Sequence, residues 1–164
     1  MKALLILLML FPTVLWAGCD DNAQLRVVKG ADDRAGALYG LIKGDEPSWS
    51  QGFHQETFVY LGRLKSGYEV AHMVTLWGQS CRATNRLLLF SQGLYKGNFG
   101  GIADVPEVRG NMLVYEFDEA MGRAINFEYG IPEEIYLNGV FYSFDRLEPL
   151  EKKKRKLNTW REHD

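Results

Sequence analysis

The chain has 164 residues, 46% of them hydrophobic and 13% aromatic, with two cysteines and a formal net charge of −2. Such an apolar, aromatic composition excludes an intrinsically disordered chain, two cysteines exclude a disulfide-dense scaffold, and the near-neutral balance argues against a basic nucleic-acid binder. What remains is one domain's worth of chain, long enough to bury about two thirds of its unfolded surface around a core.

Lys2 is followed by an almost unbroken apolar run from Ala3 to Trp16 and then by the small residues Ala17 and Gly18 before Cys19. That order predicts a bacterial export signal over residues 1–17 and a mature chain that is periplasmic or otherwise exported. The run falls short of the roughly 20 apolar residues a spanning helix needs, and Asp20 and Asp21 follow at once. Leu15-Trp16-Ala17-Gly18-Cys19 resembles the lipobox of bacterial lipoproteins, with Trp16 where that motif carries an aliphatic residue. The resemblance implies acylation of Cys19 and a membrane anchor. The alternative is cleavage after Ala17, which leaves Cys19 to form a disulfide with the only other cysteine, Cys81. An even cysteine count in an oxidising compartment favours the bridge.

Beyond the signal, residues 22–49 are ambiguous. Leu25 to Val28 and Leu38 to Ile42 suit strands, while Asp32 to Tyr39 equally suits a helical turn, and Asp45-Glu46-Pro47-Ser48 is a loop. A series of strand-turn-strand units follows. Thr57 to Leu64 and Tyr68 to Trp77 flank Lys65-Ser66-Gly67, and Arg86 to Phe90 and Leu94 to Phe99 flank Ser91-Gln92-Gly93. Met112 to Phe117 and Arg123 to Tyr129 enclose residues 118–122, and Glu134 to Leu137 meets Val140 to Phe144 across Asn138-Gly139. Asn-Gly is the strongest short hairpin signal, because both residues tolerate positive φ. Alternation puts Ile125, Phe127 and Tyr129 on one side of their strand, and Val140, Tyr142 and Phe144 on one side of theirs. Eight strands at spacings near ten residues predict an all-β fold: a single antiparallel meander closing as a small barrel or a two-sheet sandwich. The export signal spans 1–17, the β domain 18–148, and a basic C-terminal helix or tail 149–164, where Leu150, Leu157 and Trp160 recur at helical spacing.

Three features carry possible chemistry. The first is Trp77 to Arg86, where an indole and the guanidinium groups of Arg82 and Arg86 surround small polar residues. Trp77, Arg82 and Arg86 are candidate binding residues for an anionic or sugar-like ligand, against a polar connection that Cys81 staples. Ser80 lacks a Gly-x-Ser-x-Gly elbow, and Cys81 has no activating base. The second is His72, with apolar neighbours on its strand; its spacing from His54 and His163 makes a hydrogen-bonded core or edge histidine a better reading than a metal ligand or general base. The third is charge. Residues 104–134 hold eight acidic and two basic side chains, suited to a cationic partner or to solubility, whereas 152–156 is an uninterrupted basic run suited to anionic lipid or to solvent.

Paired carboxylates fare no better as a glycosidase site. With Phe117 opposite Arg123, Glu128 faces Met112 and stands about 13 Å from Glu116, beyond the roughly 5 to 9.5 Å such pairs use. No catalytic residue, metal site or cofactor is therefore assigned. The sequence predicts an exported, non-catalytic envelope binding domain, of the inhibitor or immunity type, with an envelope protein or cell-wall ligand as partner. Nucleic acid is not expected, and a membrane is expected only through a lipid on Cys19. The alternatives are an envelope lipoprotein with a structural or assembly role and a cell-envelope hydrolase.

Overall fold

The computed structural model describes residues 25–30, 32–44, 53–77, 82–116 and 124–147. The expected export signal, Cys19, Ser80, Cys81 and the expected C-terminal helix lie outside these residues, as does the basic run at 152–156. The described elements, in order, are β1 (Leu25–Lys29), α1 (Asp32–Gly44), β2 (Phe53–Arg63), β3 (Glu69–Trp77), β4 (Arg82–Ser91) and β5 (Leu94–Gly100). They continue with β6 (Glu107–Arg109), β7 (Met112–Val114), β8 (Ala124–Asn126), β9 (Glu134–Leu137) and β10 (Val140–Arg146).

The ambiguous N-terminal segment is a strand and a helix. Ala35, Leu38, Tyr39 and Ile42 recur at i, i+3, i+4 and i+7 and are all buried, which gives α1 one apolar stripe to lay on the sheet. Of the two alternatives open for this segment, Leu38 to Ile42 is therefore helical. Because α1 carries the chain across the sheet, β1 and β2 run parallel, with Val27 opposite Thr57.

The protein is mostly β, in a seven-stranded mixed sheet of order β1-β2-β3-β4-β5-β10-β9 and a three-stranded sheet of order β6-β7-β8. The expected single antiparallel meander survives only over β2 to β5, and the sheet does not close as a barrel: β1 and β9 are its two edges. Each face already has its own cover, so closing the sheet on itself is not needed to bury apolar surface. On one face α1 packs Ala35, Leu38, Tyr39 and Ile42 against Phe58, Ala71, Met73, Leu88, Phe90 and Tyr95. On the other, Val70, Leu87, Leu89 and Phe99 share a core with Leu113 of β7, Ile125 of β8 and Phe144 of β10.

Turn chemistry sets the hairpins. Asn138 (φ 46°) and Gly139 (φ 81°) both adopt the left-handed conformation of a two-residue hairpin turn, pairing Leu137 with Val140 and Tyr136 with Phe141. Gln92 (φ 54°) and Gly93 (φ 71°) do the same between β4 and β5. Other details depart from expectation. Met112 pairs with Asn126 rather than Glu128, a slip of two residues that preserves the faces but withdraws the carboxylate spacing derived from the expected register. Ile125, Phe127 and Phe144 are buried as the alternation predicts, but Tyr142 is half-buried and Val140 is 49% exposed at the hairpin tip. Tyr129 is 95% exposed, since β8 ends at Asn126 and the chain turns before reaching it.

Candidate functional site

The antiparallel register of β3 and β4 sets Trp77 opposite Arg82, Thr75 opposite Thr84 and Met73 opposite Arg86. Alternation then puts Trp77, Arg82 and Arg86 on one face of the sheet, the face that α1 covers further along. The three sequence candidates thus share a surface, but in different environments. The Trp77 indole Nε1 donates to Thr84 Oγ1 at 3.0 Å, tying its polar edge to the neighbouring strand. Arg86 is half-buried, and burial lowers its pKa against the opposing pull of Tyr95, Glu56 and Asp145. Arg82 is exposed at the mouth of the hairpin.

Several polar groups on this face are engaged by the helix or by one another. The Tyr39 hydroxyl donates to the buried Glu56 carboxylate. Arg34 holds both oxygens of Glu69, with Nε 2.7 Å from Oε1, and the Tyr60 hydroxyl stands 3.5 Å from the same oxygen. The Arg34 hydrogen bonds keep Glu69 below the usual carboxylate range despite its burial. Asn98 Nδ2 donates to the Tyr95 hydroxyl at 3.0 Å, and burial pushes that phenol up to about 12. The Tyr39–Glu56 and Arg34–Glu69 contacts join helix to sheet.

His72 points to the opposite face. It is buried, and its Nε2–H donates to the Ile102 carbonyl at 2.9 Å; burial holds its pKa below the ordinary value. It is the hydrogen-bonded core histidine that its strand position suggests. Among the described residues no group of three His, Cys, Asp or Glu side chains is placed to hold a metal ion, and no helix is long and apolar enough to cross a membrane.

Two surfaces escaped the sequence reading. The first is the outer side of the β9–β10 hairpin. Tyr136 and Phe141 face each other across the strands with ring centroids 4.7 Å apart, 45% and 70% exposed, on the edge of the seven-stranded sheet. Large aromatics left in water as a pair are uncommon on a surface with nothing to bind. Glu134 and Asp145 are exposed on the same face of the same two strands. The Asn138-Gly139 turn was the available signal, since a two-residue turn dictates that Tyr136 opposes Phe141.

The second is a cleft of about 410 Å³ on the other face of β10, beside the β4–β5 turn. Phe144, Ile131 and Leu147 form its apolar part, and Tyr68, Ser91, Gln92, Lys96 and Arg146 its polar part. No sequence signal marked it, because its residues come from segments far apart in the chain. Set against family models, curated proteins and solved structures, the chain matches none of them.

Proposed function

We propose that the chain is an exported, non-catalytic binding domain whose β9–β10 hairpin docks on a protein partner of the cell envelope, as an inhibitor or immunity-type protein would. The observation that carries this reading is the exposed Tyr136–Phe141 pair on the sheet edge. Aromatic side chains dominate the energetics of protein interfaces when they enter a pocket on the partner and a polar rim excludes water around them. Here Glu134 and Asp145, on the same face as the pair by strand alternation, supply an acidic rim, which fits a partner with a cationic border around an apolar recess. The edge position adds unpaired backbone groups of β9 to the surface a partner strand can use. Export rests on the apolar run and small residues of 1–17, and a disulfide between Cys19 and Cys81 is part of the same reading. The two sheets are read as a sandwich, supported by the core that Leu113 and Ile125 share with Val70, Leu87 and Phe99.

The mature domain, cross-linked in envelope extract of its host, is expected to retain a defined basic protein. The double substitution Tyr136→Ser/Phe141→Ser should abolish that capture, while Val28→Ser, at an exposed apolar position on the opposite edge, should leave it intact. Equal recovery of the same protein by the hairpin variant overturns the reading.

A further inference from the structure

We propose that the cleft beside the β4–β5 turn binds a small organic anion, a carboxylate or phosphate group carried on an apolar body. Its volume, about 410 Å³, lies in the range of metabolite-sized sites. Its charged lining is entirely cationic, Lys96 and Arg146, although residues 18–150 carry 18 acidic against 12 basic side chains. Tyr68, Ser91 and Gln92, which also line the cleft, carry hydrogen-bond donors. Phe144, Ile131 and Leu147 add apolar lining that a bare inorganic ion would leave unused.

The backbone is shaped to make this arrangement. Leu89 pairs with Gly97 and Phe90 with Tyr95, so Lys96 is the extra residue of a β-bulge. A bulge breaks the alternation of the strand and re-aims a side chain. It leaves Tyr95 and Asn98 together on the helix side, while Lys96 lines the cleft with Phe144 on the other. The close approach of β10 at this point depends on Gly97: at φ 143°, an added Cβ would stand 2.2 Å from the Asp145 carbonyl oxygen and 2.7 Å from Phe144 Cζ. Across that same rung lies Arg146, whose guanidinium sits 5.8 Å from the centre of the Phe144 ring and so borders both the charged and the apolar part of the cleft. Arg146 also pairs with Glu133, but both partners are more than half exposed. Exposed pairs of this kind contribute little, and a guanidinium has five donors to share with an incoming anion.

The test is titration of the isotopically labelled mature domain with hexanoate, hexyl phosphate, inorganic phosphate and hexanol, read by backbone amide shifts. Hexanoate or hexyl phosphate should shift amides at 91–97 and 144–147 saturably, and whichever binds tighter identifies the head group. Hexanol should bind more weakly than either. Lys96→Met and Arg146→Gln should each weaken the preferred anion by about tenfold, the loss of roughly one charged hydrogen bond, with the thermal midpoint unchanged. Shifts as large with inorganic phosphate and unaffected by either substitution mean an adventitious ion only and overturn the proposal. So do shifts that map away from the cleft, or none at millimolar ligand.

Discussion

Arg34 of α1 and Glu69 of β3 form a two-pronged ion pair that fastens the helix to the sheet across 35 positions of sequence. The Glu69 side chain is almost fully covered, whereas Arg34 is about half in water. The two ends therefore differ in what their removal does. Arg34→Met strands a buried carboxylate and is expected to lower stability by about 2 kcal/mol at neutral pH, measured by urea unfolding. Glu69→Gln leaves an exposed arginine and a neutral amide still able to accept from it, and should be milder. Because Glu69 has a lowered folded pKa, the unfolded state binds more protons between the two values, so its contribution is present above the unfolded carboxylate pKa near 4.3 and lost as pH falls through the lower folded value. The acid-side loss should shrink in Arg34→Met.

His72 gives a second acid response in a higher window. Its folded pKa is lowered, chiefly by burial, so it stays neutral after the unfolded chain has begun to protonate near pH 6.5. Stability is complete above that pH and declines below it. His72→Gln, which keeps a donor for the Ile102 carbonyl, should flatten the decline of stability below about pH 6.5 without touching the Glu69 response. Nitrogen-detected NMR should find the proton on Nε2.

The aromatic pair at the sheet edge should separate binding from folding. A cross-strand pair contributes about 0.2 to 1 kcal/mol to a sheet, so Phe141→Ser is expected to leave the unfolding midpoint nearly unchanged. A central aromatic of an interface is worth about 2 kcal/mol or more, roughly a thirtyfold change in dissociation constant. Calorimetry against the captured partner, beside thermal melts of the free domain, measures both.

Gly97→Ala is expected to be among the most damaging single-methyl changes in the chain. It combines a backbone conformation that side chains rarely adopt with a contact of 2.2 Å to a main-chain oxygen, so a loss above about 3 kcal/mol is expected in chemical denaturation. Gly110→Ala has positive φ but open space around the new methyl, and should cost only about 1 to 2 kcal/mol.

Local chemistry made the hairpins legible and left the long-range architecture obscure. Lys65-Ser66-Gly67, Ser91-Gln92-Gly93 and Asn138-Gly139 each join the strands expected around them, because a tight turn is decided by a few adjacent residues. The stripe of Ala35, Leu38, Tyr39 and Ile42 was present too, but Gly36 and Gly40 inside the helix weaken its propensity and let a strand compete. Nothing near Phe144 announces that it will lie opposite Phe99, and nothing near Lys96 announces a bulge, since both follow from how β10 meets β5. The candidate surfaces divide the same way. The face shared by Trp77, Arg82 and Arg86 follows from strand parity, and the Tyr136–Phe141 pair from a turn, whereas the cleft needs four separate segments to be assembled first.

The insertion of β10 between β5 and β9 has a temporal meaning. Strands β2 to β5 join neighbours through short turns and can zip in sequence, but β10 must close a loop containing the whole three-stranded sheet before Phe144 meets Phe99. Pairings of that separation form late, because the entropy of closing the loop is spent before its contacts are gained. Until then the inner face of β4 and β5, with Leu87, Leu89 and Phe99, lacks part of its cover. The folding chain would therefore be most prone to aggregate in the interval between pairing of its fifth strand and its last, and most open to a chaperone that shields apolar strands.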